Sequence, residues 1–221
     1  MKKVVDFGFS KAQVADIRLL DGSVMAEDDY REKFGLKSAF RVIPSAYGKY
    51  GGIKVFEYEE CIRENNAMSR EDILELRLFN AYFFLLYHIE FGRPILDFIK
   101  NNGLHPIDLI ADISKKIDKK SYPILAEYVE RYKQKANGEW YNSVEEADNY
   151  YLQSKVFNRI MKEGFPKLNY EYAADLISNI NLRKEFVEWI CENIKKKLPN
   201  KNSIVDELVK FCCTRVYHLP F

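Results

Sequence analysis

The sequence predicts a mainly α fold: a multi-helix bundle of roughly seven or eight helices behind a small N-terminal β element. From Ser69 onward, apolar residues recur at helical spacing, and Pro, Gly and capping residues punctuate the runs. The first 66 residues hold six of the ten glycines and the only runs in which β-branched and aromatic residues alternate with polar ones. No repeat recurs at a solenoid period. These observations divide the chain into an N-terminal segment, 1–66, and a helical domain, 67–221.

The elements follow in order. Residues 27–34 form a short helix. Ile53-Lys54-Val55-Phe56-Glu57-Tyr58-Glu59-Glu60 reads as a strand, because alternation sets Phe56 and Tyr58 on one face. Ala39-Phe40-Arg41-Val42-Ile43 is its candidate partner. The intervening Pro44 to Gly52 reads as a turn-rich connection too long for a tight hairpin. Ser69 with Asp72 three residues on resembles a capping box and opens a helix. That helix is apolar nearly all round through Ile89, the pattern of a buried central helix, and Gly92 stops it.

Pro94 and Pro106 sit where helix starts tolerate proline, and Gly103 closes the short helix between them. A helix runs from about Tyr122 to Ala136. A second starts at Ser143, with Glu146 in the capping-box position, and continues to Gly164. A third begins after Asn169. A fourth begins after Asn181, with Lys195, Lys196 and Lys197 in its last turn, where the helix dipole favours cations. A last helix spans about Ser203 to Cys213, before an apolar tail ending Leu219-Pro220-Phe221.

Composition narrows the function classes. With 34 Lys and Arg against 33 Asp and Glu, no basic field exists to neutralise phosphates, which argues against a nucleic-acid partner. No apolar span of membrane length occurs, which argues against a membrane partner, and no secretory signal is visible. The four cysteines, Cys61, Cys191, Cys212 and Cys213, are irregularly spaced, as expected of reduced, buried thiols. The expected location is therefore cytoplasmic. His88, His105 and His218 lack zinc-ligand spacing with each other or with the cysteines, so no metal site is expected. No nucleophile elbow or Cys/His nucleophile pattern is present, so no catalytic residue is assigned.

Several short motifs lie in the N-terminal third. They are Asp16-Ile17-Arg18-Leu19-Leu20-Asp21-Gly22-Ser23, Tyr30-Arg31-Glu32-Lys33-Phe34-Gly35-Leu36-Lys37 and Phe40-Arg41-Val42-Ile43-Pro44. Tyr47-Gly48-Lys49-Tyr50, Glu57-Tyr58-Glu59-Glu60 and Asn66-Ala67-Met68-Ser69-Arg70-Glu71-Asp72 continue the series. A weaker echo stands at Glu139-Trp140-Tyr141-Asn142-Ser143. Together they resemble the C-terminal extension of cobalamin-binding radical S-adenosylmethionine (radical SAM) proteins. Asp21 departs from the family, which often has proline there.

In that family a cobalamin-binding domain and a radical barrel precede this region, and the barrel carries C-x-x-x-C-x-x-C, which holds a [4Fe-4S] cluster. This chain has no such run. The resemblance therefore implies a tail encoded separately, or a C-terminal piece of a longer chain. It implies an accessory, non-catalytic domain that caps a barrel, shapes a substrate pocket or mediates assembly. The partner would be a radical SAM barrel in cis or in trans, and a homo-oligomer is compatible with the same reading. S-adenosylmethionine, the cluster and cobalamin would belong to that partner, with no cofactor on this chain.

Arg41, Tyr50, Glu57, Glu60 and Arg77 are the candidate substrate- or anion-binding residues. Glu60 is a carboxylate on a mostly apolar strand face, whose structural alternatives are ion pairs with Arg41, Arg63 or Arg77. Arg77 is a lone charge inside an apolar stretch, and a buried guanidinium needs an anionic partner. The strand and the helix are close in sequence, so Arg77 is expected to pair with a glutamate, foremost Glu60. Two rival functions remain: a helical protein-interaction module, and a small hydrolase or lyase using Glu60 and Arg77.

Overall fold

A computed structural model of the chain describes residues 1–9, 14–115, 117–165 and 167–217. Among the described residues it is mainly α, with eleven α-helices and one long antiparallel hairpin near the N-terminus. The helices are α1 (Lys2–Asp6), α2 (Asp28–Phe34), α3 (Arg70–Phe83), α4 (Arg93–Asn101), α5 (Pro106–Ile113) and α6 (Pro123–Gly138). They continue as α7 (Val144–Tyr151), α8 (Ser154–Glu163), α9 (Leu168–Ser178), α10 (Ile180–Lys197) and α11 (Asn202–Thr214). The strands are β1 (Lys37–Tyr50) and β2 (Ile53–Glu64). The apolar tail and His218 lie outside the described residues.

The chain forms two compact units that do not follow a division at residue 66. One comprises Ala15–Leu76 with Gln134–Leu168 and contains the hairpin. The other comprises Met1–Val14, Arg77–Lys133 and Asn169–Phe221 and is helical. The regrouping has a physical cause: the hairpin alone has no second layer over its apolar face, and the segment around α7 and α8 supplies one.

Within the hairpin unit, β1 and β2 extend well beyond the alternating runs read from the sequence. Tyr50 pairs with Ile53, so the turn is tight, contrary to the long connection expected from Pro44 to Gly52. Gly51 and Gly52 make this turn with φ of 56° and 89°, a backbone region costly for residues bearing a Cβ. The irregularity lies instead inside β1, where Val42 opposes Tyr58 and Tyr47 opposes Phe56. Residues 43–46 bulge against Glu57 alone, which accommodates Pro44 without a ladder donor.

A further strand-like segment lies along β2: Leu19 N donates to Glu60 O at 2.9 Å and Ile62 N donates to Ile17 O at 3.0 Å. On the other side, Phe40 and Tyr141 exchange backbone hydrogen bonds of 2.8 and 2.9 Å.

One sheet face is apolar and packs on α7 and α8 through Val42, Phe56, Ala147, Tyr151, Phe157 and Ile160. The single helix expected from Ser143 to Gly164 is therefore broken. Gln153, with ψ of 130°, separates α7 from α8. The break brings both Tyr151 and Phe157 to Phe56, at centroid distances of 5.3 and 5.6 Å. Lys54 Nζ donates to Leu152 O at the break at 2.8 Å, occupying a carbonyl freed there.

The helical unit is organised around α10, whose neighbours include α5 and α11. Leu182, Phe186, Val187, Ile190 and Ile194 of α10 are fully buried, as are Ile110 and Ile113 of α5. Each such side chain contributes about 1.5–3 kcal/mol on burial. Caps match several sequence signals. Ser69 Oγ accepts from Asp72 N at 3.1 Å while Asp72 Oδ2 accepts from Ser69 N at 2.8 Å, a reciprocal capping box. Asn179 caps α10, two residues before the start read from the sequence.

The apolar run after Ser69 does not stay α-helical: Phe84–His88 is a π-helical turn. Gly92 then passes so close to Leu86 that a Cβ there would collide with its side chain. Leu76 is 46% exposed, so the first half of this run is not the wholly buried helix its composition suggests.

Candidate functional site

The opposite face of the hairpin carries charge into the interior. Cross-strand pairing sets Ala39 against Cys61 and Arg41 against Glu59, and Arg18 bridges to Cys61 from the added segment. These residues share one face because partners in an antiparallel ladder point the same way. Ala39 and Cys61 pack with Trp140 as a small buried cluster. Glu59 and Arg63 are only 6% and 3% exposed, the two buried charged residues among those described.

Arg41 is the hub. Its Nε binds Glu59 Oε1 at 2.5 Å. Its Nη1 lies 2.9 Å from both Asp16 Oδ2 and Glu139 Oε1. Arg18 Nε pairs with the other oxygen of Glu59. Two guanidinium groups stack on Trp140, Arg41 at 4.6 Å and Arg63 at 4.2 Å from its ring centroid. Trp140 Nε1 in turn donates to Ala136 O at 2.9 Å. Burial opposes the charge on Arg41, but Glu139, Asp16 and Glu59 outweigh it and hold the pKa above its ordinary value. Burial also pushes the Cys61 thiol up to about 12, so it stays protonated and unreactive at neutral pH.

Glu60 points to the other face and has a different partner from those expected. Arg31 of α2 holds it with two bonds, Nη1 to Oε1 at 2.7 Å and Nη2 to Oε2 at 2.9 Å, and Ser38 Oγ donates to Oε1. Hydrogen bonding from Arg31 is the main cause that lowers the Glu60 carboxyl pKa, with Ser38 adding to it and burial opposing. A general acid needs the reverse, a raised pKa. The expected Arg77–Glu60 pair is thus replaced by Arg31–Glu60. Helix α2 closely precedes β1 in the chain and places the Arg31 guanidinium fork beside the strand.

Of the remaining candidates, Glu57 and Tyr50 lie elsewhere in the hairpin unit, and Arg77 belongs to the helical unit. Arg77 is half-buried rather than deep in an apolar helix. Glu57 is exposed opposite the bulge in β1. Tyr50 lies at the hairpin tip, 67% exposed, with its ring against Gly48. Of the five, Arg41 belongs to the buried ionic layer.

Asp16, Arg18, Glu59, Arg63, Glu139 and Trp140 were missed as members of that layer. The usable signal was the period-2 series Glu59, Cys61, Arg63: a cysteine between two charges marks a buried face, because Cys is among the most buried residue types.

Such a layer can bind and orient, and Arg18 and Arg41 already pair with its acids. Three guanidinium groups stand among three carboxylates, with Arg41 meeting all three acids. Among the described residues, no group of three or more His, Cys, Asp or Glu side chains is placed to hold a metal ion. No helix among them is long and apolar enough to cross a membrane. No family model matches this chain, and none of the curated proteins matches it.

Proposed function

We propose that this chain is an accessory, non-catalytic domain similar to the C-terminal extension of cobalamin-dependent radical SAM enzymes. It would work beside a radical barrel supplied in cis or in trans. One observation carries this reading. The main resemblance, residues 15–72, and its weaker echo at residues 139–143 are remote in sequence. Yet the whole of both falls in one compact unit. Inside it they are joined by the Phe40–Tyr141 backbone pair, by the Arg41–Glu139 ion pair and by the stacking of Arg41 and Arg63 on Trp140. The matching residues therefore act together as one structural device, which pins the segment around Asp16 and Arg18 to the sheet.

The chain's own cysteines do not fit the iron–sulfur cluster of such a barrel. Cys61 lies in the hairpin unit and Cys191, Cys212 and Cys213 in the helical one. Cys61, Cys191 and Cys212 are buried. Burial raises all four thiol pKa values, disfavouring the thiolates that ligate iron. Any cluster and its S-adenosylmethionine would thus belong to the partner barrel. A docking role also suits the exposed apolar side chains of this unit, with Ile17, Leu20 and Val24 at 59%, 62% and 63% exposure.

The test joins the flanking coding sequence to anaerobic co-purification. A barrel bearing C-x-x-x-C-x-x-C is expected either in the same reading frame or in a stoichiometric complex with this chain. Absence of such a frame, together with separate elution when such a barrel encoded nearby is co-produced, refutes the proposal.

A further inference from the structure

The helical unit gathers cations around one aromatic ring, that of Tyr217. The ring stacks on buried Phe91 at a centroid distance of 4.6 Å, and the Tyr217 Oη donates to Cys212 O at 3.1 Å, so the side chain is fixed from two directions. Two guanidinium groups lie over the same ring. Arg183 of α10 stands 5.6 Å from its centroid, and Arg215, just past the end of α11, stands 5.2 Å from it. The negative face of the ring attracts each cation but cancels neither charge.

Neither arginine is paired with an acid among the described residues. Arg183 makes one guanidinium hydrogen bond, from Nη1 to Ile177 O at 3.3 Å, and its Nε is buried without a partner. Arg215 makes no ion pair and no side-chain hydrogen bond among the described residues. Lys184, next to Arg183, adds a third cation, and its partner Glu188 is 3.9 Å away. Arg183 also stands in the first turn of α10, where the helix dipole favours anions, and that turn contains no acidic residue. Arg41 in the hairpin unit, by contrast, meets three carboxylates. Two half-buried guanidiniums drawn together from different helices repel each other, and an anion between them reverses the sign of that interaction. The planar fork of one arginine already satisfies a flat carboxylate; two forks from different helices suit the tetrahedral, doubly charged oxygens of a phosphate.

We propose that Arg183 and Arg215, brought together on the ring of Tyr217, form a binding site for a phosphate group, carried by a small molecule or present as the free ion. The site lies in the helical unit and is independent of the role proposed for the hairpin unit. Titration of the full chain with inorganic phosphate at constant ionic strength, followed by nuclear magnetic resonance of the arginine side-chain nitrogens, tests it. Saturable shifts of the Arg183 and Arg215 Nε signals are expected, with a dissociation constant of about 1 mM. Arg183→Gln and Arg215→Gln should each weaken binding roughly tenfold or more. Arg183→Lys and Arg215→Lys keep the charge, lose the fork and should weaken it less. Arg159→Gln, at an exposed position on α8, should leave it unchanged. Methyl phosphate separates the sources: tighter binding of the ester identifies a phosphorylated small molecule, and equal or weaker binding identifies the free ion. The absence of saturable shifts, the same shifts with acetate, or an affinity unchanged in all four Arg183 and Arg215 variants overturns the proposal.

Discussion

Arg41→Met removes the hub of the ionic layer and leaves its methylene volume largely intact. The Arg41 side chain is 19% exposed and meets Glu59, Asp16 and Glu139, whose side chains are 5%, 14% and 25% exposed. Breaking a buried ion pair from one side costs about 3–5 kcal/mol, because the stranded charge has no water to turn to. Asp16 and Glu139 retain some access to solvent, and Arg18 still reaches Glu59, so the lower end of that range applies, about 3 kcal/mol. For a chain of this size the loss lowers the melting temperature by roughly 6–12 °C.

Urea unfolding followed by far-ultraviolet circular dichroism measures it, with tryptophan fluorescence as a second probe because Trp140 stacks on the deleted group. Lys2→Met is the control: the Lys2–Asp108 pair is about half exposed on both sides, and such pairs contribute no more than about 1 kcal/mol. Arg41→Lys keeps the charge but loses the fork that meets several carboxylates, and should fall between wild type and Met. Adding Glu59→Gln to Arg41→Met should recover part of the loss. An Arg41→Met protein as stable as the control variant would refute the claim that this layer holds the unit together.

Other consequences follow from single sites. The Glu60 carboxyl pKa is lowered by Arg31, so the pair's stabilisation, about 1–3 kcal/mol, is fully present above the ordinary carboxylate range and lost as pH falls through the depressed folded value. Arg31→Met should therefore flatten the acid limb of the stability–pH curve; an unchanged limb would mean the pair is not formed. Gly52→Val forces a β-branched residue to φ near 89° at the hairpin turn and should cost about 1–2 kcal/mol in thermal denaturation, whereas an unaffected midpoint would exclude the tight turn. In the native protein, a thiol-specific aromatic disulfide should label Cys213, which is half-buried, well before Cys61, Cys191 and Cys212. Equal labelling of all four would contradict the burial.

Local signals explain the parts of the fold that were legible. The mainly α character, the capping box at Ser69 and Asp72, and the short helix over residues 27–34 need only neighbours a few residues apart. The strand alternation was partly legible, since it set Phe56, Tyr58 and Glu60 on the face opposite Glu57 and Glu59. Which face would carry the buried charge was not. Glu60 looked like the buried acid because its face is apolar, yet Arg31 meets it at the rim of that face, while Glu59 is taken into the interior by Arg41. The Ser143–Gly164 stretch misled for a similar reason. Its helical periodicity is continuous, but packing two aromatic residues on Phe56 requires a bend at Gln153.

The sequence by itself determined what short-range physics controls: helix-forming stretches and their caps, the alternation of the strands and a balanced charge. Tertiary structure alone decided the partners. Arg41 and Glu139 are 98 residues apart, as are Lys54 and Leu152. Nothing local in the chain specifies such pairs, because their energy exists only once the intervening segments have folded and water has been excluded from between them.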